Sequence, residues 1–195
     1  MDIALQVAFI GLVSTLVVAA YNAWQEQERK RQSAELEYLR TQIGDFYGPL
    51  LGLLQQRRSI FEVSLAALPA ENEKQLREQW SDSDWQAWHF LVENYLLQLN
   101  SRIVDLINSK AHLLEDAQMP PSLENFIKHV AQSDCLYALS KEKGLYKEAG
   151  RFYVPYPETI QDDVQNSLNS LRSRHERILR KQRHSKKGQI LSARD

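Results

Sequence analysis

Residues 3–25 read IALQVAFIGLVSTLVVAAYNAWQ and carry no charged side chain. No other stretch limits the fold as strongly. The apolar part, Ile3 to Ala20, spans about 27 Å as a helix, close to the roughly 30 Å hydrocarbon thickness of a bilayer. Tyr21 and Trp24 follow it, where amphipathic rings favour the headgroup layer. A buried core helix is the first rival, and it lacks the polar face such a helix shows. A cleaved signal peptide is the second, and it lacks a basic start, since only Met1 and Asp2 precede the run. The expectation is a single-pass anchor over residues 1–25.

Orientation follows from Arg29, Lys30 and Arg31 just after the run, with no Lys or Arg before it. Basic residues stay on the cytoplasmic side. The N-terminus is therefore expected outside and the remaining chain in the cytoplasm. Within the span Gly11, Thr15 and Ala19 recur every fourth residue, a spacing that lets transmembrane helices approach closely. Gln6 adds a group able to hydrogen-bond across such a pair. Self-association through this face is expected.

Beyond the anchor the pattern is helical. Residues 26–35 are almost wholly polar and read as a solvated helical stalk. Leu36, Leu39, Ile43, Phe46, Tyr47, Leu50, Leu53 and Leu54 then follow the 3-4 rhythm of an amphipathic helix. GDFYGPLLG interrupts this rhythm in composition without losing its phase. Gly44, Gly48 and Gly52 cost a helix about 1 kcal/mol each relative to Ala, and Pro49 about 3. Two readings remain open. One is a helix kinked at Pro49 and packed closely on its glycine side. The other is a break near Gly48, with Pro49 at the first position of a new helix.

Further along, SDSDW supplies N-cap candidates at Ser81, Asp82 and Ser83. An amphipathic run from Trp85 to Ile107 follows, continuing to Leu114 or breaking near Asn100–Ser101. MPPS opens another helix with Ser122 as its expected N-cap. Residues 141–157 are punctuated by Gly144, Gly150, Pro155 and Pro157, with Leu145, Tyr146, Phe152 and Tyr153 available to pin them to the core. A last helix is expected over residues 158–183. No alternation of strand type extends far, and Pro155 argues against the best candidate, RFYVPY. The predicted fold is all-α: an N-terminal transmembrane helix, then a cytosolic bundle of four or five helices over residues 36–183, then a basic, disordered tail over 184–195.

Chemistry leaves little trace. Phosphate-cradling glycine loops and nucleophile elbows are absent, and no cofactor is implied. The lone Cys135 excludes an internal disulfide and reads as a small buried apolar residue. The five histidines show no metal spacing on one helix. His112 and His129 could meet across neighbouring helices, with Glu115 or Asp116 near them; this is the one enzymatic alternative, set against two histidines hydrogen-bonded at the core edge. Trp85 and Trp88, three apart, read as core packing, with ligand stacking as the rival.

The C-terminus is basic in a chain whose formal net charge is −1. Arg177, Arg180, Lys181, Arg183, Lys186 and Lys187 form a segment tethered to a membrane. Contact with anionic lipid is one reading, worth about 1 kcal/mol per basic residue near the surface. An inert tail and a contact with protein are others. Nucleic acid is the weakest, for no interleaved aromatics or motif support it.

ELEYLRTQIGDFYGPLLGLL (residues 35–54) and NSRIVDLINSKAHLLEDAQMPPSLENFIKHV (residues 100–130) resemble two motifs of a group of bacterial proteins. These have one N-terminal membrane helix, a helical cytosolic domain and no assigned activity. The resemblance implies the inner membrane as location and supplies no catalytic residue. Two functions follow as expectations. One is an anchored interaction module with a lipid bilayer, a second copy and a protein as partners. The other is a stress or anti-phage effector whose oligomerised span perturbs the bilayer.

Overall fold

The computed structural model describes residues 3–68, 80–116, 118–143 and 155–192. It is all-helical, with no strand among the described residues. The elements are α1 (Ile3–Thr41), a π-helical segment (Gln42–Tyr47), α2 (Gly48–Ala67), α3 (Asp82–Leu91), a second π-helical segment (Val92–Leu96), α4 (Leu97–Ser109), a 3₁₀ turn (Ala111–Leu113), α5 (Pro121–Lys143) and α6 (Ile160–Ser192). Two compact units are present. One comprises Met1–Arg40 and Ser173–Asp195, the other Thr41–Arg172.

Local chemistry accounts for most boundaries. α2 ends at Leu68, which is extended at φ −109°, ψ 142°, as a residue before proline is forced to be. α3 starts at a capping box. Ser81 Oγ accepts from the Asp84 amide at 3.3 Å, and Asp84 Oδ2 accepts from the Ser81 amide at 2.9 Å. A hydrogen bond from the Ser81 hydroxyl to Asp84 Oδ2 at 2.6 Å, and then the one from the Ser81 amide, hold the Asp84 carboxyl below its usual range. The helix then runs through Asn100–Ser101 without a break to Ser109. α5 begins two residues earlier than expected, at Pro121. The Pro120 carbonyl accepts from the amides of Leu123 and Glu124 at 3.0 and 3.1 Å. Ser122 is thus inside the first turn and not its N-cap, because Pro121 has a helix-ready φ and no N–H to satisfy. α6 begins at Ile160, and the Thr159 carbonyl accepts from the Asp163 amide at 2.9 Å. Its backbone is helical to Ser192.

The GDFYGPLLG question resolves into a widened turn. Tyr47 (φ −65°, ψ −38°) and Gly48 (φ −64°, ψ −55°) both keep right-handed helical geometry, so there is no break. The Gly48 amide donates to the carbonyl of Ile43, five residues back. Pro49 has no N–H for the carbonyl four residues behind it and would press its ring against that oxygen; a π turn accommodates both. A Cβ on Gly48 would lie 2.7 Å from the Ile43 carbonyl oxygen, so the glycine is required there. At Gly44 and Gly52 a Cβ would meet nothing within 4 Å among the described residues. The close neighbour expected along the glycine side is not found there.

The unit Thr41–Arg172 is organised around a core at helical spacing. Its buried side chains are Phe46, Leu50 and Leu54, then Leu99, Ile103 and Ile107 of α4, Leu123, Phe126 and Val130 of α5, and Ile160, Val164, Leu168 and Leu171 of α6. Each such side chain contributes about 1.5–3 kcal/mol by leaving water. Cys135, expected inside, is exposed. Nine residues beyond Phe126 at about 100° per residue, it faces away from the core.

In the other unit α1 carries large apolar side chains with nothing over them. Phe9, Leu12, Leu16, Val17, Val18, Tyr21 and Trp24 are each more than half exposed. Among the described residues no helix is long and apolar enough to cross a membrane; the side chains of residues 3–8 and of Ile10, the first part of the apolar run, are outside the described set. On the stalk Gln25, Glu28, Gln32 and Glu35 are half-buried. Arg174 donates to Glu35 Oε1 through Nε at 2.9 Å and Nη2 at 2.6 Å.

Candidate functional site

The unit Thr41–Arg172 contains a polar centre that amphipathic patterning does not announce. Arg57, at 7% exposure, projects from α2 into the core. Its Nε donates to Asn100 Oδ1 on α4 at 2.8 Å, and Asn100 is itself buried. The guanidinium carbon stands 3.9 Å from the centre of the Tyr156 ring and 6.0 Å from that of Phe126. His129, buried on α5, lies edge-on to Tyr156 with 5.7 Å between ring centres. A desolvated cation over an aromatic face is worth about 2 kcal/mol, and a hydrogen bond to a charged group about 1.5–3. Burial raises the Tyr156 phenol above its ordinary value, and the Arg57 charge pulls the other way. The phenol therefore stays protonated at neutral pH. The arrangement fixes α2, α4, α5 and the segment before α6 against one another.

A second set of polar contacts joins the π segment at Gln42–Tyr47 to residues 113–115 and to α6. Gln42, turned inward by the π segment, donates to the carbonyls of Leu113 at 3.0 Å and Leu114 at 3.4 Å. The Glu115 amide donates to Tyr47 Oη at 3.0 Å. Ser170 of α6 donates to Glu115 Oε1 at 3.1 Å. Burial first, and the Glu115 carboxylate second among the groups that raise it, push the Tyr47 phenol up. QIGDFYG is thus the clasp that receives HLLE.

The other predicted positions separate. His129 belongs to the Arg57 centre, whereas His112 is exposed in the 3₁₀ turn. Among the described residues no group of three His, Cys, Asp or Glu side chains is placed to hold a metal ion. Trp85 and Trp88 are not in the core, since α3 has no buried residue. They build a half-exposed cluster instead. Trp80 stands edge-on to Trp85 at 4.9 Å, Trp88 edge-on to Phe61 at 6.3 Å, and His89 is stacked on Trp85 at 5.9 Å. Phe90 and Tyr95, 6.2 Å apart, are exposed beside them. Glu93 accepts from Tyr137 at 3.0 Å and from Lys141 at 2.7 Å, which ties this region to α5 and lowers its carboxyl.

In the unit formed by Met1–Arg40 and Ser173–Asp195, Thr15 Oγ1 donates to the Gly11 carbonyl at 2.8 Å. Its hydroxyl is therefore satisfied within the helix. Thr15 and Ala19 share a shallow depression with Ser14, Val18 and Asn22. Arg177, Arg180 and Lys181 line another with Ser173 and Glu176. Arg183 is exposed, and the side chains of Lys186 and Lys187 are outside the described set.

Missed by sequence reasoning were Gln42, Arg57, Asn100 and Tyr156. One signal existed: Arg57 stands three residues after Leu54, in phase with the apolar face. No protein-family model, no curated protein and no solved structure matches this chain.

Proposed function

We propose that the chain is a membrane-anchored helical interaction module that self-associates through its span and presents its bundle to a protein partner in the cytoplasm. The bare apolar surface of α1 carries this reading. Seven large apolar side chains between Phe9 and Trp24 are each more than half exposed, far more than a soluble helix leaves in water. A bilayer is the solvent that covers a helix on every side. Arg29, Lys30 and Arg31, directly after the run, support a bundle on the cytoplasmic side. The motifs it resembles point to a bacterial inner membrane.

An interaction role fits the bundle. Its buried polar groups serve to fix helices, and its exposed aromatic pair, Phe90 and Tyr95, has the large rigid side chains that dominate binding surfaces. Self-association rests on the Gly11, Thr15 and Ala19 face, where the satisfied Thr15 hydroxyl leaves a smooth surface for a second helix.

Affinity purification of the full-length protein from its native membranes in mild detergent tests the proposal. A second protein at stoichiometric yield, lost when Phe90 and Tyr95 are both replaced by Ala, supports it. A complex containing this chain alone transfers weight to the effector reading, and a monomer with no companion contradicts both.

A further inference from the structure

We infer that α6 folds back antiparallel to the stalk of α1 and delivers its basic C-terminal half to the anionic lipid headgroups around the anchor. The inference rests on the membrane reading above and adds to it a second point of lipid contact.

The direction comes from where burial lies on each helix. Both belong to one compact unit, and Arg174 is fastened to Glu35 by two hydrogen bonds. On α1 the half-buried stripe lies N-terminal to Glu35, at Gln25, Glu28 and Gln32. On α6 it lies C-terminal to Arg174, at His175, Ile178 and Gln182. Both stripes keep the 3-4 spacing of a helix-to-helix seam. If one helix runs C-terminally from the Glu35–Arg174 contact while the other is covered N-terminally from it, the two are antiparallel.

Register follows from helical rise. Trp24 is about 17 Å before Glu35 along α1 at 1.5 Å per residue, and Ser185 is the same distance beyond Arg174 along α6. The α6 backbone is helical over that whole distance, to Ser192. Ser185 thus comes level with Trp24, an aromatic that marks the headgroup layer. Lys181 and Arg183 come level with Glu28 and Glu26. The basic residues of α6 join Arg29, Lys30 and Arg31 in one collar at the membrane surface.

Charge selects the occupant. Arg177, Arg180, Lys181 and Arg183 are exposed. The one carboxylate paired among them, Glu176 with Arg180 at 3.4 Å, is itself exposed and weakly held. A collar of this sign within a Debye length of the cytoplasmic leaflet meets a surface rich in anionic lipid.

The test uses the full-length chain with Cys135→Ser, reconstituted in vesicles of phosphatidylcholine alone or with about one third phosphatidylglycerol. A fluorophore on Ser185→Cys reports depth through a lipid-borne quencher. Quenching in the anionic vesicles is expected. It should be lost in high salt and when Arg180, Lys181, Arg183, Lys186 and Lys187 are all replaced by Gln. A disulfide between Glu28→Cys and Gln182→Cys is expected within one chain. Retention in the vesicles through an alkaline wash, with the label in water and no disulfide, overturns the fold-back and leaves the anchor standing. Release by the wash overturns the membrane reading, and this inference with it. Protection of the label by duplex DNA without a response to lipid also overturns it.

Discussion

Arg57 shows how a single residue can hold a bundle together and escape notice in a sequence. A buried guanidinium is costly to strand. Removing Asn100 leaves its Nε without the acceptor at 2.8 Å, so Asn100→Leu is expected to lower stability by about 2–3 kcal/mol. Arg57→Met is expected to cost a similar amount, by exposing the amide of Asn100 to an apolar wall. The two together should cost clearly less than their sum, because the Arg57–Asn100 bond is lost only once and neither of its ends is left without the other. Chemical unfolding of the full chain in detergent measures all three; strict additivity would show that the two side chains do not depend on each other. Gly48 allows a second residue-scale prediction. Gly44→Ala and Gly52→Ala have open space and should stabilise by about 0.5–1 kcal/mol. Gly48→Ala should destabilise despite the same gain in propensity, because its Cβ would sit 2.7 Å from the Ile43 oxygen. The three glycines look equivalent in sequence, and only the π turn between them tells them apart.

At the scale of elements, the parts readable from sequence were those set by local chemistry. The Ser81 cap, the end of α2 before Pro69 and the absence of strands among the described residues all follow from neighbouring residues. Tertiary placement was not readable. The second π segment shifts the phase between α3 and α4, so Leu96 is buried and Tyr95 exposed, although both belong to one apolar pattern. Cys135 and Leu139 continue the apolar character of α5 past the point where the core ends. The link between α3 and α5 has a pH dependence. Burial holds the His89 imidazole below its ordinary value of 6.5, so the unfolded chain takes up a proton before the folded one. Stability is therefore full above 6.5 and falls as pH drops below it. Glu93, lowered by hydrogen bonds from Lys141 and then Tyr137, loses its contribution at still lower pH, below 4.5. Unfolding followed from pH 7.5 to 5.5 should show stability declining, with a smaller decline in His89→Gln; an unchanged slope in that variant would assign the effect elsewhere.

For the whole molecule, the bare apolar surface of α1 is the observation on which the proposed anchor rests. The apolar run and the all-helical fold could both be read from composition and spacing. The exposure of Cys135 could not, yet it supplies a reporter, since this is the one cysteine in the chain and it faces solvent. Labelling with a membrane-impermeant maleimide is the most direct test. Cys135 should stay unlabelled in intact cells and react fully in inverted membrane vesicles. A cysteine introduced by Asp2→Cys in a Cys135→Ser background should show the reverse. Labelling of Cys135 from outside, or recovery of the chain in the soluble fraction, would contradict a cytoplasmic module anchored by α1.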